Sequence, residues 1–326
     1  MNSQTRPYLG PPPRKPSVVI PARNEAALIG PTVRAVLMQR PPDMDLEVLV
    51  VDDGSTDDTA AAAAAAGARV VSAPARGNGG NPAAARNHGA AVTSGDPIVF
   101  LDADCRPAPG WLDALLRAHD AGHTIVGGSL ALPPGLSATA RCDYYCGWYL
   151  VHPRRPPGLV PHHPPPNLSV RRAAFRATPG FTERAPFSYT NEERAWLGVL
   201  QKAGHVIYFE PRAVAYHYNR PGFGNLLRRN YRWASTAIEA KSQTEAARWP
   251  WLYRHPRLLI ALSMPLALVH SAYVVWCWAR VGVLEPLWML PAVVASRLAY
   301  AAGLAVGGIR WLRRGAGPAV ERGTRW

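Results

Sequence analysis

The stretch LEVLVVDDGSTDDT, residues 46–59, constrains the chain more than any other. An apolar run that stops on paired carboxylates reads as a strand buried on both faces, the kind found inside a parallel sheet, with its acids at the strand's carboxyl end. The neighbouring segments keep up the alternation. SVVIPA from Ser17 is a strand, and Leu28, Val33, Val36 and Leu37 then recur at helical spacing. Ser55 or Thr56 caps a second helix, with Asp57 and Asp58 in its first turn, an alanine run and Gly67 as its stop. ARVVSAP, NPAAARNHGAAVTSG and PIVFLDADC continue as strand, helix and strand. This alternation predicts an α/β fold with a mostly parallel central sheet, whose ligands gather at the strands' carboxyl ends. Asp52 and Asp53 end one strand while Asp102 and Asp104 follow another, so the two acidic loops line one crevice. The aspartates at 57 and 58 differ, because a helix start accounts for them.

Those acids run against the average of the chain, which carries 36 Lys and Arg against 22 Asp and Glu, a net charge of +14. Many of the arginines lie between Arg212 and Arg257 and again from Arg310 to Arg325, flanking the most apolar part of the sequence. That placement favours a membrane surface and an anionic diphosphate over nucleic acid. Cys105, Cys142, Cys146 and Cys277 are scattered, which suggests no disulfide framework and fits a reducing, cytosolic side. Cys142 and Cys146 with His162 and His163 match no standard zinc spacing, and core or loop thiols are the better account.

Residues 1–16 lack an apolar core and are rich in proline, so a disordered tail is expected rather than a signal peptide. Residues 17–250 form the catalytic unit, 251–310 the membrane-anchoring helices and 311–326 a basic cytoplasmic tail. Within the catalytic unit the proline-rich stretch from Pro153 to Pro166 is expected to be an irregular loop. TNEERAWLGVLQKAGH returns to a helix with acids at its start, and VIYFEPRAVAYHYN is strand-like. Leu258 to Ala279 contains no acid or base and would span about 33 Å as a helix, enough to cross a bilayer. The run from Val281 to Ile309 is interrupted by Glu285, Pro286, Pro291 and Arg297, so it either spans or lies partly in the interface. If both span, the loop near Arg280 faces outward.

The tripeptide DAD at 102–104 sets two carboxylates on alternate positions after a buried strand, where their oxygens can hold a hard divalent cation. VVIPARNEA, VLVVDDGSTDDT, AAARNHGA and IVFLDADCRPAPGWLDAL together resemble the nucleotide-sugar half of membrane-anchored family 2 glycosyltransferases of the inverting GT-A type, over roughly residues 17–235. The resemblance implies a Rossmann-like GT-A domain. Pro21, Ala22 and Glu25 would lie near the nucleotide. Asp53, or Asp52, would accept the imide proton of a uracil-like base, and Asp102 and Asp104 would handle ribose and a Mg or Mn ion. Arg86 either holds the diphosphate or sugar or pairs with an aspartate. His217 falls where relatives place a histidine near the metal or diphosphate.

In NEERAW, Glu193 is the expected base for the acceptor hydroxyl with Glu192 as runner-up, although the family's commoner second acid is aspartate. RNYRW at 229–233 resembles the Q-x-x-R-W segment of processive synthases, with Arg229 in place of glutamine. Trp233 would stack on an acceptor and Arg232 would meet the diphosphate; alternatively the segment is a basic amphipathic helix on the membrane. The expected activity is transfer from a nucleoside-diphosphate sugar, UDP-linked by preference, to a lipid-linked or glycan acceptor at the cytoplasmic face of the cell membrane, among membrane lipids. A processive synthase subunit and a catalytically silent scaffold are the rivals.

Overall fold

The computed structural model describes residues 15–41, 44–74, 80–184, 190–242 and 250–313. Most of the expected tails, and Arg76 beside the third helix, lie outside the described residues. Lys15, assigned to the N-terminal tail, already belongs to the fold, bridging Asp96.

Four strands form the parallel half of a nine-stranded sheet: β1 (Ser17–Ala22), β2 (Glu47–Asp52), β3 (Arg69–Ser72) and β4 (Ile98–Leu101), in the order β3-β2-β1-β4. Between them run α1 (Ala26–Leu37), α2 (Thr59–Ala65) and α3 (Pro82–Val92). β1 and β4 are buried at every position, as their unbroken apolar sequences require. Because β1 lies between β2 and β4, the two acidic loops emerge on either side of Ala22. Ala22 pairs in register with Asp52, and the Asp53 amide donates to the Ala22 carbonyl at 2.9 Å.

The sheet then changes character. Antiparallel β8 (Asn167–Val170) joins β4 to β6 (Ile125–Ala131), and β9 (Ile207–His217) runs parallel to β6. Two three-residue strands, β5 (Cys105–Pro107) and β7 (Gly158–Val160), pair with β9. The proline-rich stretch therefore contains a strand after all, because Gly158, Leu159 and Val160 form a proline-free window that can complete a ladder. The second helix also starts later than expected. Ser55 and Thr56 are engaged with Asn24 of the loop after β1, so α2 begins at Thr59 and Asp57 accepts from the Thr59 amide instead of standing in the first turn.

Around this sheet pack α4 (Trp111–Asp120), α5 (Ala138–Gly147), α6 (Arg172–Arg176) and α7 (Glu192–Lys202). After β9 come α8 (Phe223–Ser235), α9 (Ala237–Ser242), α10 (Pro250–Arg254), α11 (Pro256–Ala279), α12 (Glu285–Trp288) and α13 (Leu290–Arg313). α11 and α13 are long and apolar enough to cross a membrane. Neither stands clear of the catalytic unit. Trp278 donates its indole N–H to the Tyr145 carbonyl at 2.9 Å, Arg154 holds the Val281 carbonyl at 2.7 Å, and Glu285 pairs with Arg141 and accepts from the Tyr145 hydroxyl. The loop near Arg280 thus lies on α5 and the segment after it.

α13 meets α8 backbone to backbone. Gly303 and Gly307 stand one helical turn apart, and a Cβ on either would lie 2.1 Å from the Tyr231 carbonyl oxygen or 1.9 Å from that of Ser235. Gly303→Ala is therefore expected to destabilise the protein by about 1–3 kcal/mol through forced separation of the helices. Gly224→Ala, whose methyl meets nothing within 4 Å, should leave stability unchanged or slightly raised. Urea unfolding midpoints of both variants in mild detergent check the difference.

Candidate active site

The cleft is assembled from the carboxyl ends of β1, β2 and β4, the start of α7 and the inner face of α8. On the nucleotide side Asp53 is half-buried, and its Oδ2 accepts from the Asn81 amide at 2.5 Å. Asn81 in turn caps α3, accepting from the Ala84 amide. Burial raises the Asp53 carboxyl above its usual range, and the Asn81 N–H opposes that rise. Asp52 accepts from the Ser55 amide at 3.2 Å, a local turn contact. Pro21 and Ala22 form the buried end of β1. Glu25 precedes α1 and pairs with Arg220. Burial and the nearby Asp104 charge raise its carboxyl despite that arginine.

The Arg86 guanidinium is 3% exposed and bridges Asp102 at 2.6 Å and Glu192 at 2.8 Å. It thus pairs with an aspartate, one of the two alternatives, while its Nε is buried without a hydrogen-bond partner among the described residues. The two glutamates consequently part company. Glu193 accepts from His162 Nε2 at 2.6 Å. Burial pushes the Glu193 carboxyl up, but the His162 hydrogen bond, the Arg194 charge and the helix-start amide together offset this and the net shift is downward. Burial, with Arg194 adding to it, brings the His162 ring down to about 4, so a neutral imidazole donates to a carboxylate. Glu192, tied to Arg86, is instead driven up to about 7 by burial, with the Glu193 charge contributing.

On the metal side, ligand atoms of Asp104, Cys105 and His217 lie within 4.8 Å of one another. Burial and the adjacent Asp102 charge push Asp104 up to about 7. His217 Nε2 stands 3.8 Å from Asp104 Oδ2. Its Nδ1 meets Asn219 Oδ1 at 2.9 Å, while Asn219 Nδ2 donates to Asp143 at 2.8 Å and Arg229 pairs with Asp143 at 2.9 Å. An ionised Asp143 can only accept, which fixes the Asn219 amide, puts the proton on His217 Nδ1 and leaves a lone pair on Nε2 facing Asp104. Two carboxylates and an oriented imidazole suit Mg2+ or Mn2+. Cys105 does not, since burial holds its thiol well above the usual range and so protonated.

Sequence reasoning missed several members of this cleft. His162 was set aside as an unlikely zinc ligand, and Asp143 and Asn219 carry no pattern of their own. Arg220 and Arg229 are the two cations whose charge bears on Asp104. The Nε and Nη2 of Arg229 are buried without a hydrogen-bond partner among the described residues. A cation three residues beyond His217 was the one available signal for Arg220. Trp233 packs edge-on against Trp148 at 5.4 Å, under the Arg229 guanidinium. Arg232 is exposed on α8, whose inner face carries Leu226, Arg229, Asn230, Trp233 and Ala234.

Asp143→Asn offers the Asn219 side chain an amide that can also donate, which frees the His217 tautomer. Affinity for Mn2+, read by titration calorimetry on the purified chain, is expected to fall about 10–100-fold with the fold intact by circular dichroism.

Residues 17–177 match the family model described as Glycosyl transferase family 2. The chain is 28% identical over 287 residues to a pre-mycofactocin glycosyltransferase of Mycobacterium tuberculosis, covering 85% of this chain and 55% of that protein. It is 29% identical over 228 residues to glycosyltransferase AglE of Haloferax volcanii, covering 66% of this chain and 70% of the relative. The chain thus spans about half the length of the mycobacterial relative. Among solved structures, the mannosyltransferase PcManGT of Pyrobaculum calidifontis, in complex with GDP-Man and Mn2+, superposes with a TM-score of 0.59 at 21% identity, over 92% of this chain and 87% of that one. The acidic strand ends thus lie within a Glycosyl transferase family 2 domain over residues 17–177, and the chain is built on a GT-A fold in which Glu192 and Glu193 follow the matched segment.

Proposed function

We propose that this chain is an inverting glycosyltransferase that moves a sugar from a nucleoside diphosphate, UDP in the first instance, to an acceptor at the cytoplasmic face of a membrane, for glycolipid or cell-surface polysaccharide synthesis. One observation carries the reading: Arg86 ties Asp102, on the nucleotide side, to Glu192, the neighbour of the only glutamate in the pair that stays free of arginine. Donor acids and acceptor base are thereby held in one cleft.

Asp53 is placed to accept an imide N–H of the base, and Asp102 keeps one carboxylate oxygen clear of Arg86 for the ribose. Asp104 and His217, with Asp102 beside them, would hold Mg2+ or Mn2+. Such an ion, when bound, neutralises charge that develops on a leaving diphosphate. Arg220 and Arg229 add fixed positive charge next to Asp104. Glu193 takes the proton from the acceptor hydroxyl as its oxygen bonds to the anomeric carbon, while the bond from that carbon to the diphosphate oxygen breaks on the opposite face. His162 positions Glu193 and keeps it ionised. Trp233 and Trp148 offer an aromatic wall for a sugar ring. The acceptor is a lipid-linked sugar or a growing glycan brought to the site by the membrane.

Nucleotide release from UDP-, GDP- and dTDP-sugars by detergent-purified protein with Mn2+ tests this reading. Glu193→Gln is expected to lower kcat about 10²–10⁴-fold with donor KM nearly unchanged, and Asp104→Ala to abolish turnover. The pH profile adds a second check. Glu193 must be ionised to accept a proton, and the His162 hydrogen bond lowers its pKa. His162→Phe removes that bond, so the Glu193 pKa rises and the acid limb of kcat moves to higher pH. Unchanged turnover in Glu193→Gln would remove it from the role of base.

A further inference from the structure

The α11–α13 hairpin is held by the catalytic unit along its whole length, which is unusual for a pair of helices meant to leave a domain and enter a bilayer end-on. Near one end Ala234 of α8 and Ile238 of α9 share an apolar cluster with Leu259, Leu304 and Trp311. At mid-length the Tyr149 hydroxyl meets His270 Nε2 at 3.0 Å, and Arg297 is bonded to Asn230 of α8. At the other end Trp278, Val281 and Glu285 are bound by Tyr145, Arg154 and Arg141. Polar and charged groups of the catalytic unit therefore stand beside the half of the hairpin nearer its turn, on helices about 36 Å long.

The opposite face of α11 has a different composition. Its inward stripe is Leu259, Ser263, Ala267, Ser271, Val274 and Trp278, and its outward stripe is Leu258, Leu262, Pro265, Val269, Ala272 and Trp276. The outward stripe is apolar from end to end, and Trp288 at the hairpin's turn is 83% exposed. Arginines mark its limits: Arg257 at one end of α11 and Arg280 at the other, the latter 4.6 Å over the Trp276 ring, with Arg310 and Arg313 closing α13. An apolar strip bordered by tryptophan and arginine is complementary to the boundary between acyl chains and anionic headgroups.

We propose that the chain meets one leaflet of an anionic bilayer with the outer face of the α11–α13 hairpin, lying in the membrane plane rather than threading through it. This rests on the membrane-face reading above and specifies its geometry. A spanning hairpin would carry its turn, and with it Arg141, Arg154 and α5, across the hydrocarbon. An in-plane hairpin leaves the whole catalytic unit on the side from which it was made. It also keeps the cleft, whose inner wall α8 packs on α13, within reach of an acceptor embedded in that leaflet.

Single cysteines at Trp288→Cys and Met38→Cys, in a Cys277→Ser background, read the geometry without reference to sugar transfer, so this inference and the enzymatic one can fail separately. Met38 is 78% exposed on the catalytic unit. In sealed membrane vesicles of known orientation, an impermeant maleimide is expected to modify positions 38 and 288 from the same side. Modification of 288 from the opposite side overturns the proposal. As a second measurement, the purified chain is expected to float with vesicles containing phosphatidylglycerol, less at high salt. Leu262→Glu with Val269→Glu should reduce the bound fraction at least about tenfold while the elution volume stays the same. A chain that ignores such vesicles, and elutes as a dimer that these substitutions split, would give the face to a second copy and overturn it likewise.

Discussion

One buried cation holds the two halves of this cleft together. The Arg86 guanidinium reaches from α3 to Asp102 behind β4 and to Glu192 at the start of α7, and stacks over the Phe181 ring at 5.5 Å. The guanidinium is buried, and removing one partner from such a group typically costs about 3–5 kcal/mol. The same helix is tied at its first turn to the nucleotide side, since Asp53 accepts from the Asn81 amide and Asn81 caps α3. α3 is thus a strut between base recognition and acceptor activation. The engagement of Glu192 by Arg86 is also what leaves Glu193 free for His162.

A second line of polar contacts runs the other way, from α8 through Arg229, Asp143 and Asn219 to His217. It depends on α8 staying at its present distance from the sheet. That distance is set in part by α13, whose glycines let two backbones touch. The C-terminal helices therefore act on the cleft as well as on the membrane: whatever shifts α13 shifts α8, and with it the arginine that faces Asp104.

Much of the parallel half could be read in the sequence because its signals are local. VVIPA, LVVDD and IVFLD each state strand and burial within a few residues, the last two with an acidic end, and Gly67 and Asn81 mark helix ends by their own chemistry. The antiparallel insertion of β8 was not legible, since nothing in NLSV says which neighbour it will choose. The same limit applies within the cleft. The acids announce themselves by position, but their partners do not: His162 lies 31 residues from Glu193, Asp143 is 76 from Asn219, and Arg86 is 106 from Glu192. That Arg229 rather than Arg232 faces Asp143 is likewise decided by which face of α8 turns inward.

Arg297 shows why hydropathy alone does not place the second long helix. As a lone charge at the middle of a lipid-exposed span it would cost at least about 2.5 kcal/mol. Here its side chain is buried, bonded to Asn230 and Ser296 and set over the Tyr300 ring at 5.5 Å, so its environment is the protein and not lipid. The same accounting applies to Arg141, Asp143, Arg154 and Arg229, which pack beside the hairpin and would share its depth if it spanned. Several such penalties together outweigh the gain from immersing the far side of α11. An orientation that wets the polar flank and covers only the apolar strip satisfies both, and it lets one helix pair serve as membrane contact and as wall of the cleft.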